Sequence, residues 1–208
     1  SLLHQDREIS DAPDAPALLA GQAEVKFEHV NFGYNADRQI LHDVSFVIPA
    51  GHTVAVVGSS GAGKSTLIKS MPFFKKSLFL DLLKPDVEDR YRLNPSLLEK
   101  EAAALGPTDW VVIDEVQKLP KLLNLVHSLI EEKKIKFALT GSSARKIKRG
   151  SANLLAGRAF NYHLYPFTEL ELNENFDLNQ VLAWGALPKV IEFKQTKEKA
   201  LFLEAYVH

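Results

Sequence analysis

The chain has 208 residues, 46% hydrophobic and 25% charged, which is enough apolar material for the core of one sizeable α/β domain, with or without an appendage. Its net charge of −1 gives no general argument for nucleic-acid or membrane binding. The absence of cysteine excludes disulfides, thiolate metal sites and cysteine nucleophiles, and it is compatible with a reducing compartment.

In chain order, residues 1–22 are polar, with Asp11, Pro13, Asp14 and Pro16 close together, the composition of a linker or arm. The next stretch places apolar residues at Val25 and Phe27, then at Val30, Phe32 and Tyr34. That pattern predicts a strand whose phase slips near His29, and a bulge would absorb the slip. Asn35 to Arg38 is a turn. Ile40 to Pro49 alternates again at Val44, Phe46 and Ile48, so two antiparallel strands are expected ahead of the core. Thr53 to Val57 is a short β-branched run, the pattern of a buried strand. Pro72 should cut short the helix begun by Leu67-Ile68-Lys69.

Farther along, Leu78 to Leu83 reads as a strand, Pro85 to Arg92 as a polar stretch, and Ser96 to Leu105 as a helix stopped by Gly106-Pro107. Trp110 to Glu115 is an apolar strand that ends in two carboxylates. Leu119 to Glu132 carries apolar residues at 122, 123, 125, 126, 129 and 130, one face of an amphipathic helix. Lys136 to Thr140 is a further strand, closed by Gly141-Ser142-Ser143. Ala144 to Leu155 is basic and helical in part. Ala159 to Tyr165 is a last strand before Pro166, Val181 to Pro188 is a helix end and turn, and Glu198 to Val207 is an amphipathic helix. Strands alternating with helices imply βαβ units and a parallel sheet, whose ligands lie at the carboxyl ends of the strands.

Between the fifth-decade strand and its helix stands Gly58-Ser59-Ser60-Gly61-Ala62-Gly63-Lys64-Ser65-Thr66, which fits G-x-x-x-x-G-K-[ST]. In such a loop, backbone N–H groups cradle a β-phosphate, Lys64 places a charge at the β/γ-phosphates, and Ser65 offers a hydroxyl to Mg²⁺. Asp114 can hold Mg²⁺, directly or through water, opposite Ser65. Glu115 can orient or deprotonate the water that attacks the γ-phosphate. Thr140, Ser142 and Ser143 end the neighbouring strand, either as sensors of the γ-phosphate or as helix-capping residues. Arg145 and Arg158 are either surface residues or sources of transition-state charge, in cis or across a subunit interface. The basic stretch Lys133, Lys134, Lys136, Arg145, Lys146, Lys148 and Arg149 fits a solvated face, contact with the nucleotide, or contact with nucleic-acid phosphates. The seven histidines show no metal-ligand spacing, and His127 reads as structural.

Two resemblances split the chain. Residues 1 to about 66 resemble the start of an ABC-transporter nucleotide-binding domain of the exporter type. The residues carrying this are Asp11 to Pro16, Val25 to Tyr34, Ile40 to Phe46 and the phosphate loop. That likeness implies that Tyr34 stacks on adenine. It stops there, because no L-S-G-G-Q signature and no glutamine loop follow. From about Met71 to His208 the chain resembles prokaryotic AAA-type ATPases that carry a nuclease-like domain after the ATPase. Here the carrying residues are Leu80 to Leu83, Asn94-Pro95, Val112 to Pro120, Leu139 to Lys146, Asn153 to Ala159, Leu164 to Pro166 and Gly185 to Pro188. By that likeness Asp114 and Glu115 are the Mg²⁺ and water-activating carboxylates, and Thr140 to Ser143 carry the sensor. The chain thus looks like a chimera or fusion of two P-loop families, with its seam between about residues 50 and 71.

The expected fold is α/β: a three-layer P-loop NTPase with a mostly parallel sheet and a small N-terminal antiparallel β addition. The expected organisation is an arm over 1–22, ABC-like strands over 23–50, a P-loop core over 51–170 and a truncated C-terminal helical extension over 171–208. The expected activity is binding of ATP with Mg²⁺ and slow hydrolysis. The alternatives are an ABC-transporter motor fragment and a non-catalytic engineered fusion scaffold. A nucleotide partner, homo-oligomerisation and a cytoplasmic location complete these expectations. No run of 18 apolar residues occurs, so no transmembrane helix is expected, and the polar N-terminus lacks a signal-peptide pattern. The chain begins at Ser1 and its only methionine is Met71, which reads as a processed or excised piece.

Overall fold

A computed structural model describes residues 25–32, 41–49, 53–142 and 159–207. β1 (Val25–Phe32) and β2 (Leu41–Ile48) pair antiparallel as a two-stranded sheet. Their register shifts between Phe27 and Val30, where His29 takes φ 51°, and Asp43 opposite takes φ 50°. The expected phase slip is therefore a real irregularity. It turns the strand so that apolar residues on both sides of it keep one face.

The main sheet is built from β3 (Thr53–Val57), β4 (Ser77–Asp81), β5 (Trp110–Asp114), β6 (Lys136–Gly141) and β7 (Ala159–His163). All its pairs are parallel, in the order β4-β5-β6-β3-β7. Alternating side chains send each strand into two separate cores. Ala55, Val57, Leu80, Val111, Ile113, Phe137 and Leu139 face one side. That side is covered by α2 (Pro85–Leu93), α3 (Leu97–Ala103) and α4 (Lys121–Lys133). Val54, Val56, Val112 and Ala138 face the other, under α1 (Lys64–Ser70) and the β1–β2 hairpin, whose Phe27 and Ile48 are buried there. The result is three layers with the hairpin laid against the α1 side. Phe27 stacks on Phe46 at 4.4 Å, and Phe46 leans on Tyr162 of β7 at 4.7 Å.

Met71 ends α1, and Pro72 starts a single 3₁₀ turn, as the proline predicts. α4 buries Leu122, Leu123, Val126, Leu129 and Ile130, the face expected from its spacing. Beyond β7 the chain forms α5 (Glu169–Leu172), α6 (Leu178–Trp184), α7 (Pro188–Glu192) and α8 (Thr196–Val207). Thr168 and Glu171 close a reciprocal capping box at the start of α5.

Two expectations need correction. The polar stretch Pro85 to Arg92 is a helix, held by Pro85 at its first turn and by Arg92 pairing with Glu88 and Asp89 rather than by an apolar stripe. The last helix forms, but it is not amphipathic: Ala200, Leu201, Phe202 and Leu203 are consecutive, so they spread around the axis and leave Leu201 57% exposed. No helix among the described residues is long and apolar enough to cross a membrane.

Candidate nucleotide site

Because the sheet is parallel, every strand delivers its C-terminal residues to one edge. β3 ends at the phosphate loop, β5 at Asp114 and β6 at Gly141, with Ser142 next. β6 lies between β3 and β5, so its end separates the loop from the carboxylates.

The loop is shaped by its glycines. Gly61 (φ 74°) and Gly63 (φ 91°) adopt left-handed conformations that cost a side-chain-bearing residue free energy. Gly58 serves a different need, because a β-carbon there would lie 2.1 Å from the Leu164 carbonyl oxygen. That close approach is fixed by Leu164 N–H donating to Val57 O at 2.7 Å and Gly58 N–H donating to Gly141 O at 3.3 Å.

Lys64, at the start of α1, is 4% exposed. Its ammonium donates to Ser59 O at 2.8 Å and Gly58 O at 3.1 Å, and it stands 3.9 Å from Glu115 Oε1. Burial pushes its pKa down, and the nearby Glu115 and Asp114 charges oppose that shift. Ser65 and Thr66 follow on the first turn of α1, each half-buried.

Asp114 is buried, and one of its oxygens accepts a hydrogen bond from the Thr140 hydroxyl. The same hydroxyl accepts from the Glu115 backbone N–H at 2.9 Å. Fully buried and engaged on both sides, Thr140 braces Asp114 and Glu115 together. Glu115 was expected as the last strand residue. Instead it leaves the ladder with φ 57°, uncommon for a residue with a side chain. That torsion sends the chain into the 3₁₀ turn Val116–Lys118. The Gln117 amide of that turn donates to Glu115 Oε2 and, at 3.0 Å, to Ser142 Oγ. Gln117 Oε1 is buried with no hydrogen-bond partner among the described residues.

The structure thus brings together the loop, Lys64, Asp114, Glu115, Thr140 and Ser142. Tyr34, Ser143, Arg145 and Arg158 lie outside the described residues. Sequence reasoning gave no role to Gln117, although an amide two residues past the carboxylates was the available signal. It also gave none to the C-terminal elements on the loop. Tyr206 Oη of α8 donates to Ser60 O at 3.1 Å, and Leu187 and Pro188 flank Gly61 and Gly63. No local pattern announces a contact across 146 positions. Among the described residues no cluster of histidine, aspartate and glutamate could hold a metal without help from a ligand.

Comparison with known proteins yields two kinds of relative. The AAA domain family matches residues 50–173, more than half of the chain. An ATM1-type heavy metal exporter of Novosphingobium aromaticivorans is 53% identical over 62 residues, 30% of this chain and 10% of the exporter. ATP-binding cassette sub-family B member 6 of Xenopus tropicalis is 44% identical over 68 residues, 33% of this chain and 8% of that protein. The chain therefore spans about a tenth of the length of these curated relatives. Among solved structures, a bacterial Atm1-family ABC exporter with ATP bound aligns at TM-score 0.49 and 18% identity, covering 85% of this chain and 44% of that one. The Walker-type ATPase PABY2304 of Pyrococcus abyssi aligns at TM-score 0.47 and 15% identity, covering 74% and 66%. Both resemblances read from the sequence thus have counterparts, and the chain carries a P-loop ATPase domain.

Proposed function

The chain belongs to the AAA domain family, and on that premise we propose that it binds ATP with Mg²⁺ and hydrolyses it slowly. The observation that carries this reading is the buried Lys64 ammonium, which is turned onto two loop carbonyls and faces Glu115. A buried cation is tolerated only where charge or hydrogen bonds meet it, and a triphosphate in the loop would replace weak carbonyl partners with anionic oxygens.

The donors fit Mg²⁺, a hard cation that prefers oxygen. The carboxylate of Asp114 and the hydroxyl of Ser65 would hold it, with Thr140 occupying one Asp114 oxygen and fixing that side chain. When bound, the ion would neutralise charge on the β- and γ-phosphate oxygens. Lys64 binds the same oxygens. Glu115 accepts the proton of the attacking water, and Ser142 stands at the γ-phosphate end. Arg145 or Arg158 supplies further positive charge, in cis or from a second copy in a homo-oligomer. The division we propose is an arm over 1–22, ABC-like strands over 23–50, the nucleotide-binding core over 51–170 and a helical extension over 171–208.

Calorimetric titration of the full chain with ATP and Mg²⁺, beside Lys64→Ala, tests this reading. Saturable binding that Lys64→Ala abolishes supports it. Absence of binding in a chain that melts cooperatively leaves the scaffold reading instead. The exporter relatives, at 44–53% identity over about a third of the chain, favour a second reading, an ABC motor fragment. In that case Tyr34→Ala weakens ATP binding with the fold intact, whereas an unchanged affinity places Tyr34 away from the adenine.

A further inference from the structure

We propose that Gln117 is the positioning residue for the hydrolytic step, tying the Glu115 carboxylate to Ser142 so that base and γ-phosphate end are set as one unit. The inference rests on the reading of Glu115 as the base that accepts the water's proton.

Gln117 sits in a turn that is firmly placed. Lys118 N–H donates to Glu115 O at 3.0 Å, and Leu119 N–H donates to Val116 O at 3.1 Å. Val116 and Leu119 on either side are buried in the α4-side core. With Val116 and Leu119 anchored inward, Gln117 of the turn between them is left at the sheet edge while Lys118 pairs with Glu88. Its amide nitrogen donates to Glu115 Oε2 and to Ser142 Oγ at 3.0 Å, bridging the ends of β5 and β6.

Lys64 stands 3.9 Å from Glu115 Oε1, outside hydrogen-bond range. Among the described residues Gln117 is therefore the one side chain that hydrogen-bonds the Glu115 carboxylate. The amide donates to those two groups, while its own oxygen has no partner among the described residues. A glutamine kept for packing or solubility has no reason to bury an amide one-sidedly beside a carboxylate, since an unsatisfied buried acceptor costs free energy. Glu115 itself leaves the strand with a left-handed backbone whose N–H is held by the Thr140 hydroxyl, and Gln117 holds the carboxylate at the other end of the side chain. A loosely held base loses rate without losing affinity, because the ground-state nucleotide is bound by the loop and Lys64 rather than by the base.

The test is single-turnover hydrolysis of radiolabelled ATP by the full chain, comparing wild type with Gln117→Met, Ser142→Ala and the double variant. Methionine keeps the length and bulk of glutamine and removes its hydrogen bonds. The expected result for Gln117→Met is a fall in kcat of about tenfold or more, with KM within about twofold of wild type and the thermal midpoint held. The loss in the double variant should be smaller than the two single losses combined, because the bond between Gln117 and Ser142 is removed by either change. If Gln117→Met does not fold, Gln117→Leu, apolar and without the donor, gives the same readout. Wild-type kcat in these variants, or losses that add in the double variant, would overturn the proposal. So would a wild-type chain with no turnover. In that case ATP titration separates the outcomes: retained binding leaves the nucleotide reading standing, and absent binding ends both.

Discussion

The Gly58→Ala substitution exposes how tightly the phosphate loop is locked to β7. Its new methyl carbon would lie 2.1 Å from the Leu164 carbonyl oxygen, where real contacts essentially never fall below 3.0 Å. The obstacle is backbone, so no side chain can swing away, and the end of β3 and the chain after β7 must part by nearly an ångström. That movement stretches the 2.7 Å bond from Leu164 N–H to Val57 O and strains the 3.3 Å bond from Gly58 N–H to Gly141 O. Losing one buried backbone bond costs about 1 kcal/mol or more, and backbone overpacking adds about 1–3 kcal/mol, so a total near 2–4 kcal/mol is expected. Gly61→Ala is the internal comparison. Its β-carbon meets nothing nearer than Leu187 at 3.9 Å, so it carries only the left-handed backbone cost, about 1–2 kcal/mol. Urea unfolding of both variants measures the difference, and calorimetry with ATP reports on the loop. Gly58→Ala should lower the midpoint by roughly 1 M, for a slope near 2–3 kcal/mol/M, and should weaken ATP binding. A midpoint equal to wild type, or a smaller effect than Gly61→Ala, would refute the close approach of Leu164 to the loop.

Other substitutions probe separate parts of the molecule. Phe27→Ala removes a ring that is 6% exposed and stacked on Phe46, so it should cost about 3–4 kcal/mol in chemical denaturation while ATP affinity is held. An unchanged midpoint would mean that the hairpin does not share the core. Thr140→Val keeps the shape but removes the hydroxyl between Asp114 and the Glu115 backbone. It should cost about 2 kcal/mol and reduce Mg²⁺-dependent ATP binding, and Thr140→Ser should restore both in the same two assays. Tyr91 is buried and donates to Glu101, and burial first, then that carboxylate, raise its pKa well above the usual value near 10. A raised folded-state value gives stability that is present below pH about 10 and is lost as pH climbs through the folded value. Urea midpoints of wild type and Tyr91→Phe should therefore differ at pH 8 and converge at strongly alkaline pH.

What was legible in the sequence followed from spacing. Thr53 to Val57 leads into the glycine loop and a helix, a strand–loop–helix order that only one structural context satisfies. The phase slip at His29 appears as a left-handed residue opposite another at Asp43. The apolar positions of α4 are its buried face. α2 was not legible because Tyr91 is its one fully buried residue and its other support is ionic, so no apolar period marks it. Glu115 was read correctly as sitting at the sheet edge, but its torsion was hidden. A run of valine, isoleucine and carboxylate gives no signal for a left-handed residue, and the buried Thr140 hydroxyl that fixes its N–H comes from another strand. The Tyr206 contact with the loop was hidden for the same reason, since it depends on packing between distant segments rather than on any local preference.

The two halves of the chain meet in a way that explains how segments resembling different families can share one site. The cluster on the α1 side takes Phe27 and Ile48 from the hairpin and Trp110, Val112 and Ala138 from strands of the later segment. Contacts of this kind are apolar and non-directional, and they tolerate changes of partner provided volume and pattern are kept. The polar network is different. Asp114, Glu115, Gln117, Thr140 and Ser142 depend on hydrogen-bond geometry, and a half-satisfied buried network is worse than none. All five lie within one segment that resembles a single family, and the glycine loop that faces them fits the pattern of both. The carboxylate network therefore lies within one of the two segments, and backbone bonds such as Gly58 N–H to Gly141 O and Leu164 N–H to Val57 O tie the glycine loop to it.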